Sequence, residues 1–292
     1  MTIVVAMTNP SVFTTAIELE QWSTECHDKG EQVVIVPTMG NLHVGHLALV
    51  NAAKKHGDRV VVSIFVNPTQ FSEGEDFERY PRTFEADVDA LSGVGVDLVF
   101  APSADEVYPD GSEHDAISAG PIGEVLEGAI RPGHFDAVVT VCKRLFEMSH
   151  ADVAVFGEKD AQQLFLVTQM ARGLTPPVRI VGVPTVRDLD GLALSSRNAY
   201  LSIDDRQAVL ALPHALEILE QRVNHGDKLR AAVSAAQLEI AGDPAIELDY
   251  LESVNPDTFK PSGESDSQAL ILGAITVGGT RLIDNRLVQL SR

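Results

Sequence analysis

Short apolar runs alternate with amphipathic stretches along the first two-thirds of the chain. Residues 33–36 form an unbroken β-branched run ended by Pro37. A run with no polar alternation predicts a strand buried on both faces. Residues from about 46 to 55 follow with helical spacing, with Leu47, Leu49 and Val50 on one side and Lys54 and Lys55 at the end. Residues 60–66 predict a second strand, ended by Asn67-Pro68. The same alternation predicts helices over 83–91, 135–148 and 160–172 and strands over 96–100, 153–156 and 178–183. Strands separated by helices imply βαβ units, so the fold class is α/β with a parallel sheet covered on both faces.

The pattern changes after Pro184. A charged, Gly-containing segment, RDLDGL, precedes two predicted helices, over 204–224 and 227–241. Strands are predicted over 248–254, 269–277 and 281–285, the last two flanking Gly278-Gly279, a hairpin signal. The organisation read from this is a larger domain over residues 1–184 and a smaller α+β domain over 185–292. No internal repeat or low-complexity segment interrupts it.

Composition narrows the function. The 292 residues carry a formal charge of -20, from 42 acidic against 22 basic side chains. A field of that sign repels phosphate backbones and argues against a nucleic-acid partner. It also makes any Lys or Arg in a phosphate-binding pattern stand out. The two cysteines, Cys26 and Cys142, have no zinc-ligand spacing and suit a reducing compartment. The opening MTIVVAMTNP lacks the basic region of a signal peptide, and no apolar run is long enough to span a bilayer. These readings imply a cytoplasmic protein with no membrane partner. There is no Walker-A motif, no GxGxxG after the first predicted strand, no GxSxG and no HExxH.

The strongest local feature is the first strand-to-helix turn, PTMGNLHVGHLALV. Ligands of open parallel sheets bind beyond the carboxyl ends of the strands, where helix N-termini point N–H groups at anions. Gly40 and Gly45 permit a tight turn and close approach of a nucleotide. His43 and His46, three apart, share one face of a first helical turn. The helix dipole disfavours an imidazolium there, yet either neutral tautomer still donates one hydrogen bond to a phosphate oxygen. Two surface histidines beside an ordinary turn are the bland alternative. Their place directly after a predicted strand argues for the functional one.

This HxGH string resembles the signature shared by nucleotidyltransferases and class I aminoacyl-tRNA synthetases, which act at the α-phosphate of ATP. The longer PTMGNLHVGH is similar to pantothenate synthetases. FVNPTQF (65–71) with EDFERYPR, RPGHF (131–135), GEKDAQQ (157–163) and GLALSSRN (191–198) match that family's motifs in order. They cover most of the first two-thirds of the chain. Asn41, where the family often has a smaller residue, and Asp136-Ala137, where a Gly is often found, are small departures.

The resemblance implies a Rossmann-like ATP- and pantoate-binding domain with a smaller C-terminal lid. It implies ATP-dependent joining of pantoate to β-alanine through a pantoyl-adenylate, releasing AMP and pyrophosphate, with Mg2+ held through ATP and water. By the same resemblance His43, His46, Lys159 and Arg197 are catalytic. ATP would meet Met39, Gly40, Asn41, Leu42, His43, Val44, Gly45 and His46 on the first turn. It would also meet Gly157, Glu158, Lys159 and Asp160 on the second motif, and Val186, Leu194, Ser195, Ser196 and Arg197 on the third. Gln70 and Gln163 would bind pantoate and β-alanine. Neutral amides suit a substrate with hydroxyls and a carboxylate that must stay nucleophilic. No metal ligand is assigned, Arg131 and His134 are left without a role, and a homodimer is implied. The competing classes are another HxGH transferase, which would use a phosphate nucleophile and release no AMP, and a non-catalytic nucleotide-binding regulator.

Overall fold

The computed structural model describes residues 9–72, 74–75, 77–109, 116–263 and 265–290. The start of the chain, on which the signal-peptide reading rests, and Asp76 of EDFERYPR lie outside the described residues. The chain divides into two compact units. The larger comprises the chain through Glu158 with Gln163–Pro184, and the smaller comprises Lys159–Gln162 with the chain from Thr185 onward. Among the described residues no helix is long and apolar enough to cross a membrane.

In the larger unit the strands are β1 (Ser11–Phe13), β2 (Val33–Thr38), β3 (Arg59–Ile64), β4 (Leu98–Phe100), β5 (Val153–Gly157) and β6 (Arg179–Val183). The helices are α1 (Ala16–Asp28), α2 (Val44–Ala53), α3 (Phe84–Val94), α4 (Ala104–Val107), α5 (Glu127–Ile130), α6 (His134–Ser149) and α7 (Ala161–Arg172), of which α7 belongs to this unit from Gln163 onward. The sheet order is β1-β4-β3-β2-β5-β6, with every pairing parallel. The apolar run of β2 feeds two cores. Val33 and Ile35 join a cluster containing Leu19, Phe100 and Phe146, whereas Val34 and Val36 join one containing Val50, Val62 and Leu91. Period-two alternation of an all-apolar strand therefore buries both faces.

Parts of this unit depart from the sequence reading. The segment before residue 33 contains β1 and α1, for which no element was predicted. The buried positions of α1 are Leu19, Ser23 and Cys26, a narrow stripe with a polar residue at its centre. Its start is fixed instead by a capping box between Thr15 and Glu18. Pro37 does not end β2 but sits inside it, paired with Ser63. Thr38 O accepts from Phe65 N on the β3 side, so the Pro37 nitrogen faces the β5 side. The β2–β5 pairing has stopped at Ile35, so the missing N–H costs no ladder bond.

The smaller unit has α8 (Ile203–Val209), α9 (Ala211–Asn224) and α10 (Leu229–Ala241) beside an antiparallel sheet. Its strands are β7 (Glu247–Val254), β8 (Gln268–Val277) and β9 (Thr280–Gln289), in that order. Leu212, Leu216, Leu219, Leu251, Ile271 and Ile275 centre its core. Gly278 and Gly279 both have positive φ, 56° and 76°, as the β8–β9 hairpin requires. The single helix predicted over 204–224 is broken at Leu210. Pro213 has no N–H for the carbonyl of Val209, and it falls in the first turn of α9, where that loss is tolerated.

Candidate active site

The strand order reverses at β2. Successive strands run outward through β3 and β4 on one side, and β5 and β6 lie on the other. The crevice at such a switch point lies beyond the carboxyl ends of the strands. The HxGH turn occupies the carboxyl end of β2.

The turn is held by a buried carboxylate. Asp87 of α3 is 3 % exposed. Its Oδ2 accepts from Asn41 N at 2.9 Å and its Oδ1 from Leu42 N at 2.7 Å. Thr83 Oγ1 also donates to Oδ2, at 3.2 Å. Gly40 has φ +81°, and a Cβ there would lie 3.0 Å from Asp87 Oδ2. Asn41 has φ 51°, a left-handed conformation that Asn tolerates. Gly40 N donates to Thr38 Oγ1, which in turn donates to Ser63 O.

His43 is the N-cap of α2 and His46 its third residue. Gly45 N donates to His43 Nδ1 at 3.1 Å, and His43 N donates to His46 Nδ1 at 3.2 Å. Two histidines thus play the capping-box parts usually taken by Ser and Glu. Because each Nδ1 accepts from a backbone N–H, each ring is neutral with its proton on Nε2. The ring centroids are 4.1 Å apart. The sequence reading left both tautomers open; the backbone selects one. The helix begins at Val44, two residues before the predicted start.

Gln70 closes the 3-10 turn Pro68–Gln70, and its amide is oriented by Asn67, which is fully buried. Asn67 Oδ1 accepts from Thr69 N and from the hydroxyl of Tyr108. Its Nδ2 therefore donates, to Gln70 Oε1 at 3.0 Å. That leaves the Nε2 donors of Gln70 as its offering to a carboxylate or hydroxyl.

Arg131 and His134 acquire a role here. Arg131 pairs with Glu75 through Nε and Nη2, both at 2.7 Å, and Nη2 also donates to Gln70 O at 3.1 Å. Burial works to raise the Glu75 carboxyl, but the hydrogen bond and charge of Arg131 outweigh it and hold it below its ordinary value. Arg131 Nη1 donates to His134 Nε2, so His134 Nδ1–H donates to Gln70 O at 3.0 Å. Burial first, and the Arg131 charge second, push the His134 imidazole down to about 4. RPGHF thus anchors the backbone of the Gln70 turn. The signal available in the sequence was an Arg and a His three apart, which does not name their target. Asp87 and Asn67 were missed in the same way, as one acid on a helix and one Asn before a Pro.

A cleft of about 310 Å³ opens beside the HxGH turn, lined by Met39, Gly40, Phe65, Pro68, Phe77, Arg82 and Asp87 among others. His43, His46, Gln70 and Gln163 do not line it, so it does not define the site. Gln163 is half-buried near the start of α7.

β5 ends at Gly157 and leads into the 3-10 turn Glu158–Asp160 and then α7. In the smaller unit Lys159 Nζ lies 3.9 Å from Asp160 Oδ1, and the lysine side chain is 17 % exposed. Leu194 N donates to Val186 O at 3.0 Å, so these two residues pair directly. Ser195 caps the 3-10 turn Ser196–Tyr200, its Oγ accepting from Arg197 N at 3.3 Å. The cap keeps Ser195, Ser196 and Arg197 in one tight turn. Among the described residues no three His, Cys, Asp or Glu side chains cluster for a metal ion.

Known proteins are similar to this chain in sequence and fold. The profile described as Pantoate-beta-alanine ligase matches residues 11–287. A pantothenate synthetase of Acidothermus cellulolyticus is 49% identical over 257 residues, 87% of this chain and 84% of that protein. One of Caulobacter vibrioides is 46% identical over 291 residues, covering 97% of this chain and 100% of the relative. The crystal structure of pantothenate synthetase from Thermus thermophilus superposes with a TM-score of 0.88 at 44% identity, over 94% of this chain and 98% of that one. Pantoate-beta-alanine ligase from Francisella tularensis, solved with beta-gamma ATP and beta-alanine, gives 0.77 at 31% identity, over 95% and 97% of the two chains.

Proposed function

The chain belongs to the pantoate-beta-alanine ligase family, and from that premise we propose how its residues carry the joining of pantoate to β-alanine at the expense of ATP. The pantoate carboxylate attacks the α-phosphorus of ATP and pyrophosphate leaves. The amine of β-alanine then attacks the carbonyl of the pantoyl-adenylate, and AMP leaves. A carboxylate is ionised near neutral pH, so the first step needs no general base. It needs alignment and stabilisation of charge on the phosphates.

One observation carries this reading: the pair of backbone-fixed, neutral imidazoles at the N-terminus of α2. Each carries its proton on Nε2 and can donate to a phosphate oxygen without adding a cation to the positive end of the helix. Met39–Gly45 supply the turn on which the nucleotide lies. Lys159 and Arg197 meet the phosphates as cations, with Ser195 and Ser196 as hydroxyl donors. Gln70, its amide oriented by Asn67, and Gln163 hold the acid substrate without neutralising its nucleophile. ATP enters as its magnesium complex, the metal coming with the substrate. The smaller unit has the part of a cover on chemical grounds, because an acyl-adenylate hydrolyses unless water is excluded. A cytoplasmic location, carried by the two unpaired cysteines and the sequence pattern, and a homodimer, carried by the resemblance alone, complete the proposal.

Product analysis with ATP, pantoate and β-alanine tests the reading. AMP, pyrophosphate and pantothenate in equal amounts support it. ADP and phosphate would place attack at the γ-phosphorus and overturn it.

A further inference from the structure

The C-terminal strand β9 holds the backbone of Lys159. Asn285 Nδ2 donates to the carbonyl oxygen of Lys159 at 2.8 Å. A carbonyl can only accept, so the orientation of this amide is fixed by its partner. Both residues belong to the smaller unit, because Lys159–Gln162 group with it although only Glu158 separates them from the end of β5.

Asn285 is itself held on both main-chain sides. Its N–H donates to Asp284 Oδ1 at 2.8 Å, and its carbonyl accepts from Arg187 Nη2 at 3.4 Å. Arg187 and Asp284 form a bidentate pair at 2.6 and 2.8 Å, with Asp284 4 % exposed. Arg187 Nη1 also reaches Gly191 O at 3.0 Å. One guanidinium therefore joins the 186–194 turn to β9, and one amide joins β9 to Lys159. Bidentate Arg–carboxylate geometry fixes direction as well as distance, which suits a brace more than a flexible contact.

We propose that Asn285 is a positioning residue for Lys159, held in place by the Arg187–Asp284 pair. This rests on the reading of Lys159 as a phosphate-binding cation. The ammonium sits on a flexible four-carbon stem in a short 3-10 turn, and Asp160 lies 3.9 Å away as a competing partner. Fixing the carbonyl of Lys159 fixes the backbone from which the stem starts. The same strand braces the segment leading to Ser195 and Arg197, so the cations and hydroxyls for one triphosphate keep a common reference.

The test uses the full chain with Asn285→Asp, which keeps the shape and removes the donor, and Asn285→Ala, each alone and combined with Lys159→Ala. Hydrogen exchange of the peptide covering 158–163 should quicken in both single variants. Their kcat/KM for ATP should fall about tenfold with pantoate KM within about twofold, as expected for one lost hydrogen bond and a displaced lysine. In the Lys159→Ala background the same substitutions should cost no further activity. Unchanged exchange over 158–163, or an equal loss with and without Lys159, would overturn the proposal. Wild-type-like turnover of Lys159→Ala alone would instead sink the reading of that lysine. The exchange data would still report whether Asn285 holds its backbone.

Discussion

The main-chain N–H of His43 donates to Nδ1 of His46, 3.2 Å away, and this bond decides which imidazole nitrogen carries the proton. The structural and chemical parts of the ring can therefore be separated by substitution. His46→Asn places an oxygen near Nδ1 and can keep the cap, but it has nothing in place of Nε2–H. It should fold with near-normal thermal stability and lose about 10²–10³ in kcat, the usual cost of one charge-stabilising donor. Steady-state AMP release, read beside a melting curve, checks both. Near-normal turnover in a folded variant would remove His46 from the chemistry.

Asp87 and Gly40 make a second pair whose roles separate. Asp87→Asn replaces one acceptor with a donor and leaves one turn N–H, from Asn41 or Leu42, without its partner. A loss of about 1–3 kcal/mol is expected. Gly40→Ala meets both a left-handed φ and a carboxylate oxygen at 3.0 Å, so it should cost at least about 1–2 kcal/mol. Urea denaturation measures both. Wild-type midpoints would show that the turn does not depend on this carboxylate.

Arg131→Lys keeps the charge but loses the fork that spans Glu75, His134 and Gln70 O. Pantoate KM should rise about tenfold because the Gln70 turn loosens. Affinity for a non-hydrolysable ATP analogue should hold, since the HxGH turn makes none of these bonds. A fall in ATP affinity larger than that for pantoate would contradict the division of the two substrates.

His134 predicts a pH effect of defined sign. Its folded value is depressed to about 4 from an ordinary 6.5, so the unfolded chain binds the extra proton first as pH falls. Stability should therefore drop between about pH 6.5 and 4, and His134 should contribute no slope above that window. Protonation would also set a second cation against Arg131. Melting temperatures of wild type and His134→Gln, measured across this range, should converge or cross toward pH 4. Parallel curves would exclude His134 as the titrating group.

Much of the candidate site's local geometry was legible because its residues lie in contiguous strings. PTMGNLHVGH contains its own turn glycine, cap and donors, so local sequence nearly determines local geometry. The β-branched runs named four of the six parallel strands closely and a fifth roughly, since burial on both faces leaves a plain pattern. What escaped is set by distant partners. Nothing near Asp87 in sequence says that it caps a turn 46 residues away. Arg131 and His134 act on Gln70 across more than 60 residues. Asn285 reaches Lys159 across 126 residues, from a part of the chain where the motif match had faded. The break at Leu210 and the continuation through Pro37 depend on which carbonyls need a donor, and pairing decides that, not composition.

The central claim is an acyl-adenylate formed before β-alanine reacts. Exchange of labelled pyrophosphate into ATP measures that half-reaction alone. With pantoate and magnesium present and β-alanine absent, label should enter ATP, and the rate should fall sharply in the His46→Asn and Lys159→Ala variants. Exchange that appears only after β-alanine is added would contradict the account.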